Sequence, residues 1–327
     1  MQHAQKALVF LILLVTPLLL AGAITPATYN GVQKTQTPVK ISLPSYEDIS
    51  PILIYNDFDM DNYASALSWD GDGSPATPYI IEGYSIVNDT NSIWIQDVTL
   101  SFEIRNCYIS SETGVSDDGI FIENVTQAAI YDTVVVNKTH LINLWDTPDI
   151  YIENCTVSEG VWGIELYNCS GATIADCDIY FVTYDGIEIQ ISNNVLLSNN
   201  EITEISNGAG IKIDSSDHVT LLGNDISECS SSGVWAIDSL HLYAEDNIIH
   251  ENWFFTGVMC GIHLDGSSYA RIIDNDIYQN ARNGIYLDNS DWVNITDNDI
   301  YCNSDHGIDA VNSIIVNVER NNIFSNG

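Results

Sequence analysis

The sequence predicts an all-β fold, a solenoid of stacked coils with three strands each and about 23 residues per coil. Three observations predict it: a recurring two-residue step, apolar residues at fixed positions after that step, and one Asn per coil. The step is Gly followed by a β-branched residue, with Leu once replacing Gly. It begins at Gly119, Leu141, Gly163, Gly186, Gly210, Gly233, Gly261, Gly284 and Gly307.

The first strand of each coil follows from the residues nearest the step. With the step as position zero, position one is always Ile or Val: Ile120, Ile142, Ile164, Ile187, Ile211, Val234, Ile262, Ile285 and Ile308. Position three is apolar as well. Because side chains alternate between the two faces of a strand, positions one and three are expected to point inward and positions two and four outward.

Two further strands are predicted in each coil. A second alternating pair occupies positions nine and eleven, as in Ile150 and Ile152. Position sixteen is apolar again, as in Ile179 and Ile202, and indicates a short third strand. Three strands per coil predict a triangular cross-section.

Position fourteen carries Asn in six consecutive coils: Asn200, Asn224, Asn247, Asn275, Asn298 and Asn321. Asn tolerates the backbone of a tight turn, and its amide can bond the next copy one strand spacing away, about 4.8 Å. An inward Asn ladder would satisfy buried polar groups. Cys155 and Cys177 occupy the same position in earlier coils, where we expect packing residues; a disulfide between them is the alternative.

These rows resemble the right-handed parallel β-helix superfamily, the pectin lyase-like fold of pectate lyases, polygalacturonases, alginate epimerases and NosD-like repeat proteins. The resemblance covers about residues 79–327 and implies a right-handed, single-stranded β-helix that acts on polysaccharide. The catalytic motifs of polygalacturonases fit poorly. Three short segments are partly similar to these motifs, but they occur in a different order along the chain: Asp117-Asp118, Asp305-His306-Gly307 and Gly210-Ile211-Lys212.

The chain divides into four predicted segments. Residues 1–23 have the short charged start, apolar stretch and small-residue end of a signal peptide, with an uncleaved membrane anchor as the alternative. Residues 24–44 suit a flexible linker, residues 45–92 an N-terminal cap with a first irregular coil, and residues 93–327 the β-helix. We therefore expect a secreted or cell-surface protein, with its C-terminal end covered by further sequence or by a partner.

The strongly negative net charge of the protein limits the classes of partner that it can bind. Nine Lys and Arg stand against 45 Asp and Glu, giving a formal net charge of −36. Nucleic acid is excluded as a partner by this balance. The acidity suits divalent cations, neutral glycans or a salty exterior. If the host glycosylates, the sequons place glycans at Asn88, Asn124, Asn137, Asn154, Asn168 and Asn294.

The outward positions of the first strand combine carboxylates with aromatic rings. Rings stack on the apolar faces of sugars, and carboxylates accept hydrogen bonds from hydroxyl groups. The sequence therefore predicts that an extracellular polysaccharide or cell-envelope glycan binds there. The candidate binding residues, with Trp253 from an inserted loop, are Trp145, Tyr167, Trp235, Tyr286, Asp214, Asp265, Asp288 and Trp253.

Two groups of outward residues are candidates for catalysis. Glu165 and Glu188 lie one coil apart, a separation that suits a retaining glycosidase, unless they are ordinary surface neutralised by Lys212. His263 and Asp309 lie two coils apart, beside the predicted binding aromatics. The loop that carries Trp253 precedes His263, and the alternative to ligand binding is that its aromatic residues fold back over a coil.

Two metals are considered, and neither is assigned as a cofactor. Met259, Cys260 and His263 offer soft donors for copper, the metal that the likeness to NosD-like proteins suggests. The turns Asp274-Asn275-Asp276 and Asp297-Asn298-Asp299 offer hard oxygens for Ca²⁺, but such turns also form without metal.

The function predicted from the sequence is thus polysaccharide binding by the outward face of the first sheet. Whether the protein is an enzyme, a hydrolase or a lyase, is left open by the sequence. The alternatives are a non-enzymatic surface module for structure or adhesion, and a NosD-like periplasmic copper-binding protein.

Overall fold

The computed structural model describes residues 46–253 and 259–327, and it confirms a three-sheet parallel β-helix. The predicted signal peptide (1–23) and linker (24–44) lie outside the described residues. Strands at equivalent positions of successive coils pair in parallel and in register. Ile187 pairs with Ile211, and Ile211 pairs with Val234.

Each coil contributes one strand to each sheet. The first sheet contains Ile52–Ile54, Ile93–Val98, Ser116–Val125, Lys138–Trp145, Trp162–Tyr167, Ile187–Gln190, Ile211–Asp214, Val234–Ile237, Ile262–Asp265, Ile285–Asp288 and Ile308–Val311. The second sheet contains Tyr79–Glu82, Phe102–Arg105, Ala128–Tyr131, Tyr151–Glu153, Thr173–Ala175, Leu196–Ser198, Thr220–Leu222, Tyr243–Glu245, Arg271–Ile273, Asn294–Thr296 and Asn317–Glu319. The third sheet contains Glu47–Asp48, Tyr84–Val87, Tyr108–Ser110, Val134–Val136, Thr156–Ser158, Asp178–Val182, Glu201–Ile205, Asp225–Ser227, Ile248–His250, Asp276–Tyr278, Asp299–Tyr301 and Asn322–Phe324.

The core is the continuous column of inward side chains. Ile187, Ile211 and Val234 are fully buried, as the first-strand pattern predicts. Their burial is favourable because apolar surface leaves water, by roughly 1.5–3 kcal/mol for each large side chain. This column holds every coil in the same register and thereby aligns the outward rows.

The predicted Asn ladder forms. From Asn200 to Asn298, each side-chain Nδ2 donates to the Oδ1 of the next Asn at 2.9 Å. The same amides also donate to backbone carbonyls of the turn, as Asn247 does to Leu221 and Glu245 at 3.0 Å. The ladder therefore satisfies backbone groups that no strand pairs.

Two more ladders were not predicted. Asn252, Asn280 and Asn303 each donate to the Asn of the next coil, at the turn between the third and first sheets. The turn between the first and second sheets has a Ser ladder, in which each hydroxyl accepts from the backbone N–H one coil earlier: Ser192, Ser216, Ser239, Ser267, Ser290 and Ser313. All three corners are thus held by stacked polar side chains.

The cysteines are free thiols, so the disulfide alternative for Cys155 and Cys177 is not what the structure shows. Both are buried, in the coils that precede the first Asn of the ladder, Asn200. A hydrogen bond with Cys177, together with burial, raises the pKa of the Cys155 thiol. The pair packs as a small apolar step of the column.

One helix, Asp57–Leu67, interrupts the first coil and was not predicted. Asn56 caps its N-terminus by accepting from the backbone N–H of Asp59 at 3.0 Å. Met60 and Ala64 are buried against the core. Within residues 46–253 and 259–327, no helix has the length and apolar character to cross a membrane.

Candidate functional site

Outward side chains cross the first sheet in three rows, of which positions two and four were predicted. The third row, at position minus one, includes Asp118, His140 and Asp185 and was missed. If side chains alternated strictly along the strand, those at position minus one would point inward. In the structure it is position zero that faces inward, because a Cβ atom on Gly186 would lie 2.7 Å from the carbonyl oxygen of Gly210. The turn therefore reverses the alternation and brings the missed row beside Glu165 and Glu188.

We call the residues Asp118, His140, Glu165, Asp185, Glu188 and Lys212 the charged cluster. His140 lies between two of its carboxylates. Its Nδ1 is 2.6 Å from an oxygen of Asp118, and its Nε2 is 3.8 Å from Oε2 of Glu165. The hydrogen bond to Asp118 raises the pKa of His140, against the opposing effect of burial. His140 is thus placed to exchange a proton with whatever binds beside Glu165.

Glu165 is the most perturbed acid of the charged cluster. Burial raises its pKa to about 7, with the positive charge of His140 opposing the shift and the negative charge of Glu188 adding to it. Its Oε2 atom is buried and has no hydrogen-bond partner. A carboxyl group in this state is protonated in a large fraction of molecules at neutral pH, which a general acid requires.

Glu188 is held differently from Glu165. Its Oε1 accepts from Nζ of Lys212 at 2.8 Å and from Nε2 of Gln190 at 2.6 Å. Lys212 also lies 3.6 Å from Asp185. Burial by itself lowers the pKa of Lys212. The hydrogen bond to Glu188 and the negative charges of the nearby carboxylates outweigh this effect, so the pKa is raised overall. The two neighbouring Glu residues therefore have different environments, one protonated near neutrality and one ion-paired.

A pocket of about 190 Å³ opens beside this pair. Trp145 and Tyr167 form one wall, with ring centroids 4.9 Å apart, and we call them the aromatic platform. Trp145 is 41% exposed. The other lining residues are Glu165, Leu166, Glu188 and Gln190. The structure thus brings together four predicted residues, Trp145, Glu165, Tyr167 and Glu188, in one concave site.

We expect Glu165→Gln to stabilise the protein at alkaline pH. A carboxyl whose folded pKa is raised to about 7 costs folding free energy once it ionises. That cost is absent below the unfolded pKa and grows as pH rises through the folded pKa. The variant should gain about 1–3 kcal/mol in free energy of unfolding at pH 8 and little at pH 4. Urea unfolding at the two pH values measures this, and an equal change at both would exclude a raised pKa.

The structure places the second predicted group, His263 and Asp309, two coils apart on the first sheet, as the sequence predicts. The register places Tyr286 between them, so they are two strand spacings apart, roughly 9.6 Å. His263 is only 5% exposed and stacks on Trp235 with ring centroids 5.8 Å apart. Burial lowers its pKa. Trp235, His263 and Tyr286 form an aromatic row on the same face as the charged cluster, in which the ring of Tyr286 is tilted against that of His263.

Trp253 lies away from the first-sheet face. It is 57% exposed and lines a separate pocket of about 300 Å³, together with Phe181, Glu204 and Glu228 of the third-sheet corner. The structure therefore does not bring it together with Trp235. The other aromatic residues of this loop, Phe254 and Phe255, lie outside the described part of the chain.

The proposed copper donors are poorly suited to a metal. Cys260 is fully buried, and burial raises the pKa of its thiol to about 12, which disfavours the thiolate that copper binds. The described ranges, 46–253 and 259–327, contain no group of three His, Cys, Asp or Glu side chains arranged to hold a metal ion. In the turns considered for Ca²⁺, Asn275 and Asn298 point into the ladder, and Asp297 is bound by Arg320.

The sequons differ in how their amides are used. The Asn88 side chain donates to Thr90 and accepts from Ser92 at 2.6 Å, so a glycan there would displace existing hydrogen bonds. Exposed sequon residues donate to an Asp of the preceding coil: Asn124 to Asp97, Asn154 to Asp132 and Asn168 to Asp146. Asn137 and Asn294 are half-buried.

Comparison with known proteins places the fold. The structure is similar to the mannuronan C-5 epimerase AlgE4 A-module of Azotobacter vinelandii (TM-score 0.58, 12% identity, covering 86% of this chain and 90% of that one). It is also similar to the periplasmic alginate epimerase AlgG (TM-score 0.56, 14% identity, 85% of each chain). A third is the enzymatically active domain of tailspike protein 2 of bacteriophage CBA120 (TM-score 0.53, 11% identity, 84% of this chain and 48% of that one).

At these identities the likeness shows the fold alone. No curated protein matches the sequence. The model of the right-handed β-helix region matches residues 140–254 and 206–327, which together exceed half of the chain. The chain therefore belongs to the right-handed β-helix family.

Proposed function

We propose that the protein binds a polysaccharide outside the cytoplasm, through the pocket between the aromatic platform and the charged cluster. The observation that carries the proposal is the placement of Trp145 and Tyr167 directly beside Glu165 and Glu188 in one concave site. Aromatic rings provide a stacking surface for sugars, and the carboxylates provide acceptors for their hydroxyl groups. The structurally similar epimerases, named for mannuronan and alginate, support this class of ligand.

A second candidate function, hydrolysis of the bound chain, is favoured by the unequal state of the two Glu residues. Their strands are adjacent, about 4.8 Å apart, close to the carboxyl separation of about 5–5.5 Å in retaining glycosidases. Glu165, with its pKa of about 7, would donate a proton to the leaving oxygen. Glu188, which is ion-paired with Lys212, would attack or stabilise the sugar from the other side.

Removing the aromatic platform tests the binding proposal. Trp145→Ala should weaken polysaccharide binding by about 1–3 kcal/mol, because the sugar loses its stacking surface. The measurement is isothermal titration with the polysaccharide that binds best in a screen of neutral, amino and uronic chains. Phe58→Ala is the matched control, since Phe58 is 72% exposed on the helix Asp57–Leu67 and does not line the pocket.

Binding that is lost in Trp145→Ala and kept in Phe58→Ala supports the site. Equal binding by both variants contradicts it and favours the non-enzymatic structural or adhesion module. If the unaltered protein binds none of the polysaccharides, the proposed site is also contradicted and the structural or adhesion module is favoured.

A further inference from the structure

We propose that the first-sheet face selects polysaccharides that carry protonated amino groups over neutral and uronic ones. The inference rests on the proposed function and names the substrate class of the same sheet face, which continues beyond the pocket to Asp265 and Asp288. It comes from the distribution of charge along the face.

The three outward rows of the first sheet are strongly acidic. They contain nine carboxylates and a single Lys, Lys212. The carboxylates are Asp118, Glu123, Glu165, Asp185, Glu188, Asp214, Asp265, Asp288 and Asp309. A uronic chain laid along this face would meet like charges in seven of the nine coils that begin between Gly119 and Gly307.

The cationic side chains of the face are already engaged. Lys212 binds Glu188 at 2.8 Å and lies 3.6 Å from Asp185. His140 is held by Asp118 at 2.6 Å. Within the described residues, no Lys or Arg on this face is left to receive the carboxylate of a uronic sugar. The face therefore lacks the element that recognition of an acidic glycan requires.

Beyond Lys212, the face carries carboxylates without cationic partners. Asp265 and Asp288 are register neighbours about 4.8 Å apart, and neither belongs to an ion pair in the part of the chain described here. The rings of His263 and Tyr286 lie beside them with centroids 5.1 Å apart. Carboxylates next to an aromatic ring form the environment in which proteins recognise ammonium groups, through ion pairing and cation–π attraction.

The experiment compares three probes of equal length at a pH below the pKa of the probe amines. They are a β-1,4-glucosamine oligosaccharide, its fully N-acetylated form and an oligogalacturonate. We expect the protonated probe to bind roughly tenfold more tightly than the N-acetylated one. The difference should shrink as salt is added, since salt screens exposed charges. The oligogalacturonate should bind most weakly, also in the presence of a chelator.

The double variant Asp265→Asn, Asp288→Asn distinguishes recognition of the amino groups by these two carboxylates from attraction by the total negative charge of the protein. It should lose most of the preference for the protonated probe, because its affinity for that probe should fall much more than its affinity for the N-acetylated probe. The control, Asp246→Asn with Asp274→Asn, makes the same charge change at exposed turns away from the first sheet and should keep the preference.

Equal affinity for the amino and N-acetylated probes overturns the inference and leaves the proposed function standing, as does tighter binding of the oligogalacturonate. A preference reduced equally by both double variants also overturns it, because only total charge would then matter. Failure of all three probes to bind counts against the proposed function itself.

Discussion

Replacing Asn247 by Leu is expected to lower the free energy of unfolding by about 4 kcal/mol. The Asn247 amide donates to Leu221, Glu245 and Asn275, and its oxygen accepts from the side chain of Asn224 at 2.9 Å. Leu satisfies none of these groups, so buried donors and acceptors on three coils lose their partners. Each unsatisfied group costs about 1–3 kcal/mol. Urea unfolding followed by circular dichroism measures the change.

The control for this prediction is Asn317→Leu. Asn317 is exposed on a second-sheet strand and donates only to Asn294, at 2.8 Å. Exposed substitutions of this kind change stability by about 0.5 kcal/mol or less. If both variants lost the same amount, the ladder would not be the source of the stability that we assign to it.

Replacing Glu165 by Gln is expected to reduce hydrolysis of the bound polysaccharide by about 10²–10⁴-fold. Gln keeps the shape of the side chain but has no proton to give to the leaving oxygen. In the unaltered protein, activity should fall as pH rises through about 7, because Glu165 is the acid and loses its proton there. The variant should lack this alkaline limb. Release of reducing ends over a range of pH measures both effects.

Glu201→Gln is the matched control, since Glu201 is exposed on the third sheet and lies outside the site. Full activity of Glu165→Gln with an unchanged alkaline limb would remove Glu165 from the chemistry. Retention of the anomeric configuration in the product is also expected, because Glu165 and Glu188 lie on adjacent strands. Inversion would exclude the pair as acid and nucleophile.

The three sheets were predictable because one simple rule governs them. Residues a full coil apart stack, so the apolar column through Ile187, Ile211 and Val234 and the Asn ladder both appear in the sequence as regular repeats. The outward rows at positions two and four follow from the same rule. The sequence alone therefore predicts that Trp145, Tyr167, Glu165 and Glu188 share a face.

What escaped prediction depends on local departures from that rule. His140 and Asp118 were missed because the turn at position zero reverses the alternation of side chains. The helix Asp57–Leu67 was missed because it buries only Met60 and Ala64 and so has almost no apolar periodicity.

Burial also decides properties that spacing does not reveal. The sequence shows that Glu165 and Glu188 are neighbours. It does not show that Glu165 is buried away from water or that Lys212 pairs with Glu188. Likewise, the spacing places His263 on the outward face of the sheet but does not show that it is only 5% exposed and stacked on Trp235. Charge state and contact follow from packing around each side chain, which a repeat pattern does not contain.

Hydroxyl-radical footprinting with and without bound polysaccharide tests most directly whether the first-sheet face is the binding surface. We expect oxidation of Trp145 and Tyr167 to decrease when the sugar is present. Oxidation of Trp292, which is 52% exposed at the turn between the first and second sheets, should stay the same. Protection of Trp292 with unchanged oxidation of Trp145 and Tyr167 would contradict the account and place the binding surface elsewhere on the β-helix.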